Sequence, residues 1–452
     1  MLDRGRDRRA ALARSLAVMA LSFAPSAFAD VFLQGVGDAS LGYTDNAQSA
    51  PEVPLPEGPS RSPGAYLLLS PGIVLATVSA QAEHRLTYRY EYDLFFADSD
   101  ATSSVNRLEY HGFFDLTPRL QLLLGAMATE SSGYSAITFA PAATAGVSAL
   151  PEGTAALLQL TTDESLQWDM APGWRGYEAA TFSVQTPLFG TEAPTTLSPT
   201  LRLGVERSFE INAVGAEARA EYTTISEGVD LDGAATGTQR QVLTAAVATY
   251  RQDFGYLFTG SAEAGVLRVD RLNTGQGHFY PTGAAALDYT TETGAAELSY
   301  RHTVTTNVLL GQWSLIDEVR LHGGLPLTRK GELYCAANAA YQRGRLLDSN
   351  TEVAAYVNVL LADVSLGMRV NDYLSLALRY QHIDQDSDRR VRSLPISFVR
   401  NDILLGASIA FPPERKMPQP YRAPQRVDAT DELRGEPVPA EPVPRSPATQ
   451  PG

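Results

Sequence analysis

The chain has 452 residues, more than a typical single soluble domain uses, and its formal charge of −15 leaves no basic footprint for nucleic acid. Its one cysteine, Cys335, excludes an internal disulfide and a thiolate zinc site. With 36 Gly, 20 Tyr and 16 Phe, and no apolar run of about 18 residues after Phe23, the composition points to many strands and to no transmembrane helix.

The N-terminus carries an address. Arg4, Arg6, Arg8, Arg9 and Arg14 precede an apolar run, residues 15–23, and the small residues Ala27 and Ala29 flank Phe28 as in a signal-peptidase site. Cleavage is expected before Asp30. Asp3 and Asp7 argue against a mitochondrial presequence, and no cysteine follows the cleavage site to carry a lipid anchor.

From there, apolar/polar alternation and turn signals predict strands at 31–44, 65–78, 84–96, 105–116 and 120–129. A Pro-rich loop, 45–64, separates the first two, and Pro71-Gly72 suggests a bulge in the second. The third strand shows the pattern best. Leu86, Tyr88, Tyr90, Tyr92 and Leu94 share one face, and Arg85, Thr87, Arg89, Glu91 and Asp93 the other. The fourth sets Leu108, Tyr110, Gly112, Phe114 and Leu116 against Arg107, Glu109, His111 and Asp115. Residues 130–161, rich in Ala, Gly, Thr and Pro, read as the longest connection, of a length that suggests a functional or mobile segment.

Further strands are predicted at 162–170, 174–186, 198–209, 214–225, 239–251, 255–269, 280–290, 295–308, 313–323, 331–343, 351–370, 373–383 and 397–411, with loops at 270–279 and 384–394. The total is about 18, within a range of about 16–20. Connections after even strands are short, as at 117–119, 171–173 and 371–372, and those after odd strands are mostly longer and more polar. Such asymmetry is the signature of an all-β, antiparallel up-and-down transmembrane barrel with its short turns in the periplasm. An even count brings both termini to that rim.

Gly406, Ile409 and Phe411 form a Gly-x-x-hydrophobic-x-aromatic ending that resembles the assembly signal of outer-membrane barrels, although Leu404 stands where a polar residue is usual. Residues 412–452 follow, with Pro437-Val438-Pro439 and Pro442-Val443-Pro444. This composition predicts an extended, disordered periplasmic tail. The expected organisation is a signal peptide over 1–29, a barrel over 30–411 and the tail.

No catalytic constellation is apparent. His84, His111, His278, His302, His322 and His382 are scattered, and no Gly-x-Ser-x-Gly elbow occurs. No enzyme activity, cofactor or metal is expected. The polar faces instead carry rows of mixed charge. These are Arg85, Arg89, Glu91, Asp93, Arg107, Glu109, Asp115, Glu217, Arg219, Glu221, Glu297, Arg301, Glu318, Arg320 and Arg379. They read either as a self-neutralising wall knitted by cross-strand pairs or as a polar track for a hydrated solute. Tyr88, Tyr110, Trp168, Trp174, Trp313 and Tyr380 read as interfacial girdles if they face out, or as a sugar-stacking slide if they face in.

On Gly42-Tyr43-Thr44-Asp45-Asn46, the stretch Ala213 to Ala220 (AVGAEARA) and Val399-Arg400-Asn401, the mature chain resembles bacterial outer-membrane β-barrels. Within them it is similar to the porin-like barrels of exopolysaccharide export systems of the myxobacterial type. The resemblance implies a passive conduit for exported polymer. Its partners would be outer-membrane lipid, the barrel assembly machinery and a periplasmic polysaccharide-export protein without an outer-membrane span of its own. The alternatives are a general or solute-specific diffusion porin, and a structural barrel that anchors a periplasmic partner through its tail.

Overall fold

The computed structural model describes residues 30–47, 50, 61–97, 101–132, 157–187, 195–229, 235–291, 294–307, 312–328, 332–347, 355–387 and 397–413. The strands are β1 Asp30–Thr44, β2 Gly64–Val78, β3 Ala82–Phe95, β4 Ser103–Thr117, β5 Leu120–Ser132, β6 Leu157–Ala171, β7 Trp174–Pro187, β8 Thr195–Ser208 and β9 Asn212–Val229. They continue as β10 Ala235–Asp253, β11 Phe258–Arg271, β12 Gln276–Thr290, β13 Ala295–Asn307, β14 Gln312–Pro326, β15 Leu333–Leu346, β16 Ala355–Arg369, β17 Leu374–Ser387 and β18 Phe398–Phe411. Each pairs antiparallel with its chain neighbours, and β1 pairs with both β2 and β18, so the 18-stranded sheet closes into an up-and-down barrel without free edges. Among the described residues, no helix is long and apolar enough to cross a membrane.

Cross-strand partners share a face, so the ladders assign every side chain to one of two surfaces. Arg219 on β9 reaches over β10 to Glu263 on β11, and Arg89 on β3 reaches over β2 to Asp38 on β1. Side chains two strands apart meet on the concave side, which makes theirs the inner face. The other parity carries exposed large apolar residues around the circumference, among them Leu33, Ile73, Tyr88, Leu203, Val266, Leu298, Leu366 and Leu405. A soluble monomer exposes apolar patches of about 300–600 Å², and a belt of this extent fits the hydrocarbon of a bilayer instead.

Several boundaries differ from the alternation pattern. Residues 130–132 continue β5 and 157–161 belong to β6, where Leu158 and Leu160 keep the outward parity; 133–156 lie outside the described residues. The expected loop 270–279 is mostly strand, with a tight turn at 272–275, so not every connection on the long-loop rim is long. No bulge forms at Pro71-Gly72, because both keep register with Gly37 and Val36 of β1. Toward β3, pairing lapses at Ser70 and Pro71 and resumes in the same register, from Leu69↔Tyr92 to Gly72↔Arg89, since proline has no N–H for that ladder. Register shifts occur instead at 115–117 and 169–171, beside short turns, and near the long-loop end of β9 and β10.

Both ends of the described chain lie on the short-turn rim, where Gly35 faces Phe411. The signal peptide and most of the tail lie outside the described residues. The aromatic girdle is mixed. Trp168, Trp174, Tyr88 and Tyr380 lie on the outward parity, and Arg207 stacks over Trp174 with its guanidinium carbon 5.4 Å from the ring centre. Tyr110, also on that parity, is buried beside His84, whose Nδ1 is 2.9 Å from its hydroxyl. Trp313 is no girdle residue at all: it is fully buried within the barrel, as described below.

Candidate functional site

The site to consider is the inner wall. The ladders place all fifteen of the charged residues singled out above on that face: Arg85, Arg89, Glu91 and Asp93 of β3, Arg107, Glu109 and Asp115 of β4, Glu217, Arg219 and Glu221 of β9, Glu297 and Arg301 of β13, Glu318 and Arg320 of β14, and Arg379 of β17. Most are drawn into local groups.

On β7 to β11, Arg219 bridges two carboxylates. Its Nη2 lies 2.6 Å from Glu263 Oε2, and its Nε donates to Glu217. Glu217 also accepts from the Tyr177 hydroxyl, which reaches it across Gly204. A Cβ at position 204 would stand 2.1 Å from the Tyr177 ring, so only glycine leaves the tyrosine its path. Ser198 and Thr223 each donate to Glu221 at 2.8 Å. On β1 to β4, Arg89 crosses Gly72 to reach Asp38 at 3.0 Å; a Cβ at 72 would lie 2.9 Å from the arginine side chain. Ser103 donates to Asp93 at 3.1 Å, Gln121 to Asp115 at 3.0 Å, and Arg107 stands 3.9 Å from Glu109. On β13 to β15, Glu318 sits between Arg301 at 3.2 Å and Arg320 at 3.1 Å, with Gln342 donating at 3.3 Å. Arg379 pairs with Asp363 of β16. The wall is thus polar, largely self-neutralised, and tied across strands by charge-assisted hydrogen bonds.

Sequence reasoning missed several members. Asp38, Asp363 and Glu263 supply counter-charges, Arg202 and Glu206 line the wall beside Glu217, and Arg400 with Asp402 forms its most buried pair. Arg400 Nε is 2.9 Å from Asp402 Oδ2 and its Nη2 is 3.1 Å from Oδ1; both residues are 0% exposed, and Tyr66 donates to Asp402 at 3.3 Å. The signal for this pair was available, since both lie on the parity opposite the outward Asn401, Ile403 and Leu405.

The resemblance motifs at the two ends of the chain meet where the barrel closes. Asn401 donates to Asp45 from its backbone N–H and its Nδ2, each at 2.8 Å, and Asn46 Nδ2 donates to the Val399 carbonyl at 3.0 Å. Arg61 adds a bond to Asp45 at 2.7 Å. Burial alone would raise the Asp45 carboxyl, but the hydrogen bonds from Asn401 and from the Arg61 guanidinium outweigh it and hold the group below its ordinary value of 3.8. A carboxylate so lowered contributes its stabilisation fully at neutral pH and loses it as pH falls from about that value through its lower, folded-state value. Asp45→Asn is therefore expected to lower the thermal midpoint at pH 7 and to narrow its gap to the wild type as the pH drops below 4. Thermal melts across pH 3–7 check this; a gap that stays constant with pH would show that the carboxylate charge is not what holds the seam.

The two ends of the lumen differ. In the short-turn half, inner residues such as Asp115, Arg175, Asp288, Glu297 and Tyr334 are partly exposed. In the long-loop half they are packed: Val357, Ile383, Phe398 and Ile316 are 0% exposed. Part of this packing comes from β13 and β14 themselves. The β12–β13 ladder ends at Gly283↔His302, and past the bonds of the Thr282 hydroxyl to the His302 carbonyl and the Thr303 hydroxyl, 276–281 and 304–307 are no longer paired. Beyond that point Val304 and Trp313, on the parity that faces out lower down, join one apolar cluster with the inward Leu243, Val247, Leu267 and Val269 of β10 and β11. Arg271 donates to the Leu347 carbonyl, and the Leu347 N–H to that of Trp313 at 2.8 Å. The long-loop ends of β13 and β14 are thus folded inside the wall of β10 to β12 and narrow the lumen there.

Three aromatic residues, Phe32, Phe113 and Tyr334, face inward in the wider, short-turn half and are half-buried. Their signal in the sequence was parity: Phe113 lies in phase with Arg107, Glu109, His111 and Asp115. Among the described residues, no group of His, Cys, Asp or Glu could hold a metal ion.

No family model matches the sequence, and none of the curated proteins matches it. Solved structures give wider matches. Pseudomonas aeruginosa OccK2 in complex with glucuronate matches at 12% identity and a TM-score of 0.44, over 84% of this chain and 98% of that one. P. aeruginosa OccK9 matches at 11% and 0.43, over 85% and 98%. The E. coli ferric-catecholate import receptor Fiu matches at 11% and 0.40, over 84% and 81%. Likeness at this level carries no weight for substrate or mechanism, and the reading of this chain rests on its own strands and inner wall.

Proposed function

We propose that this barrel sits in the bacterial outer membrane as a passive conduit for exported polysaccharide. The observation that carries the reading is the inner wall of the short-turn half. Half-buried Phe32, Phe113 and Tyr334 line the same inner face as the largely paired charges, a surface suited to a hydrated sugar chain. Aromatic faces accept the C–H faces of sugar rings, and paired charges and amides exchange hydrogen bonds with hydroxyls without binding any one residue tightly. No residue of the chain takes a catalytic role. The short-turn rim would face the periplasm and receive polymer from an export protein that does not itself cross the outer membrane. The packed long-loop half must then open for the polymer to leave.

Deleting the gene should abolish surface polysaccharide while intracellular synthesis continues, and reintroducing the full chain should restore it. Normal surface polymer in the deletion strain, together with slower uptake of small solutes, would overturn this reading in favour of a diffusion porin.

A further inference from the structure

The wall has a seam. The β12–β13 ladder holds eight residue pairs, whereas β12 makes fourteen with β11 and β13 makes thirteen with β14. Both strands therefore run on as well-formed strands past Gly283↔His302, with their facing edges unpaired. Pro281 lies on the β12 edge, and proline in a sheet is confined to edges and bulges.

The depth of the seam is fixed by the outer face. Below it, Leu287 of β12 and Leu298 of β13 face each other outward, 42% and 49% exposed. At its start the outward residues turn polar. The Tyr300 hydroxyl donates to Asp317 Oδ1 at 2.8 Å, and His302 Nδ1 lies 2.7 Å from the same oxygen. Unpaired strand edges are not tolerated in hydrocarbon, and this one opens where the lipid belt gives way to the headgroup layer.

Behind the seam the inner wall is apolar. Leu243 and Val247 of β10 and Leu267 and Val269 of β11 face inward, next to the charged Glu217, Arg219 and Glu221 of β9. Val304 and Trp313 cover this patch, with Tyr280 and Leu315 at its edge. The cover is imperfect, because the Trp313 indole N–H and the Ser314 hydroxyl are buried with no hydrogen-bond partner among the described residues. Were the β12–β13 ladder to continue in its register, Val304 would lie opposite Pro281, and Val304 and Trp313 would point outward like Leu298 and Leu321. That arrangement pairs the two edges but bares the patch. Each arrangement lacks what the other satisfies, which makes the ends of β13 and β14 a two-position element.

We propose that these ends form a flap, and that the patch beneath it takes one acyl chain of a membrane lipid entering sideways through the β12–β13 seam. An acyl chain fits because the seam opens at the edge of the lipid belt, where lipids are the resident molecules, and leads to an apolar surface inside an otherwise polar wall. A chain on the patch replaces the cover that Val304 and Trp313 give, and so favours the laddered position. This site does not depend on which solute passes along the lumen.

The test places the full chain in vesicles of phosphatidylcholine doped with a phosphatidylcholine that carries a diazirine in one acyl chain. After illumination the labels are mapped residue by residue. A two-chain lipid does not arrive through lumen water, so parity reads the route. Thr244, Ala246 and Val266 face out, and their labelling reports a folded barrel in the bilayer. Labels at Leu243, Val247, Leu267 and Val269 require passage through the seam. Inward labelling is expected in the wild type, to rise severalfold in Trp313→Ala, and to fall severalfold in Leu267→Gln, with outward labelling unchanged throughout. Labels confined to the outward residues, or inward labels that neither rise in Trp313→Ala nor fall in Leu267→Gln, would overturn the proposal.

Discussion

Replacing Trp313 by alanine is expected both to loosen the barrel and to widen it. Trp313 is 1% exposed and sits in one cluster with Leu243, Val247, Leu267, Val269 and Val304. Removing a fully packed indole leaves a cavity that its rigid neighbours fill only in part, at a cost of about 3–5 kcal/mol. The effect on the lumen follows from topology. β14 stays laddered to β15, but the β12–β13 ladder stops at Gly283↔His302, so beyond it no backbone ladder holds β13 against β12. Side-chain packing does so instead, and Trp313 is its largest piece. Two measurements check this. The urea midpoint in lipid vesicles should fall, and single-channel conductance should rise. The protein has two other tryptophans, Trp168 and Trp174, both on the outward parity, so the buried contribution to the fluorescence should also disappear. A variant with a lower midpoint but unchanged conductance would mean that this cluster supports the wall without narrowing the lumen.

Arg400→Met should have an effect of similar size for a different reason. Arg400 and Asp402 are both 0% exposed and paired through two short bonds. Desolvation makes such a pair a weak net stabiliser, but removal of one member leaves an uncompensated buried charge, which costs about 3–5 kcal/mol. The single variant is therefore expected to unfold at much lower urea, while the double variant Arg400→Met, Asp402→Leu should recover most of the loss. A double variant no more stable than the single one would show that the pair itself, and not the stranded charge, holds β18 in place. The pair also borders the cluster of Tyr66, Phe95 and Leu404, so a local change there is expected to reach the seam between β1 and β18.

The parts of this wall that could be read in advance were those governed by local periodicity. A strand must alternate its side chains between two faces, so Arg85, Arg89, Glu91 and Asp93 on one parity and Leu86, Tyr88 and Leu94 on the other already divided β3 before any partner was known. Repetition of that pattern, with short turns after even strands, yielded the strand number and the closed antiparallel form. Pairing between groups was not readable in this way. Arg219 meets Glu263 only because Ala245 and Val247 of the intervening β10 are small or short on the inner face, and Arg89 meets Asp38 only because Gly72 lies between them.

By itself, then, the sequence determined which residues face in and which face out, because that depends on a two-residue period within each strand. It also determined that the inner face is charged and the outer face apolar. Only the tertiary structure decided which charges become partners, where Trp313 goes and where the chain leaves the barrel. Those depend on strand registers, on the early end of the β12–β13 ladder and on the bond from Gln34 to Pro412, which join residues distant along the chain. Periodicity is local and survives in the sequence; closure and crossing contacts arise when the sheet curves back on itself and brings the Asp45 and Asn401 ends together.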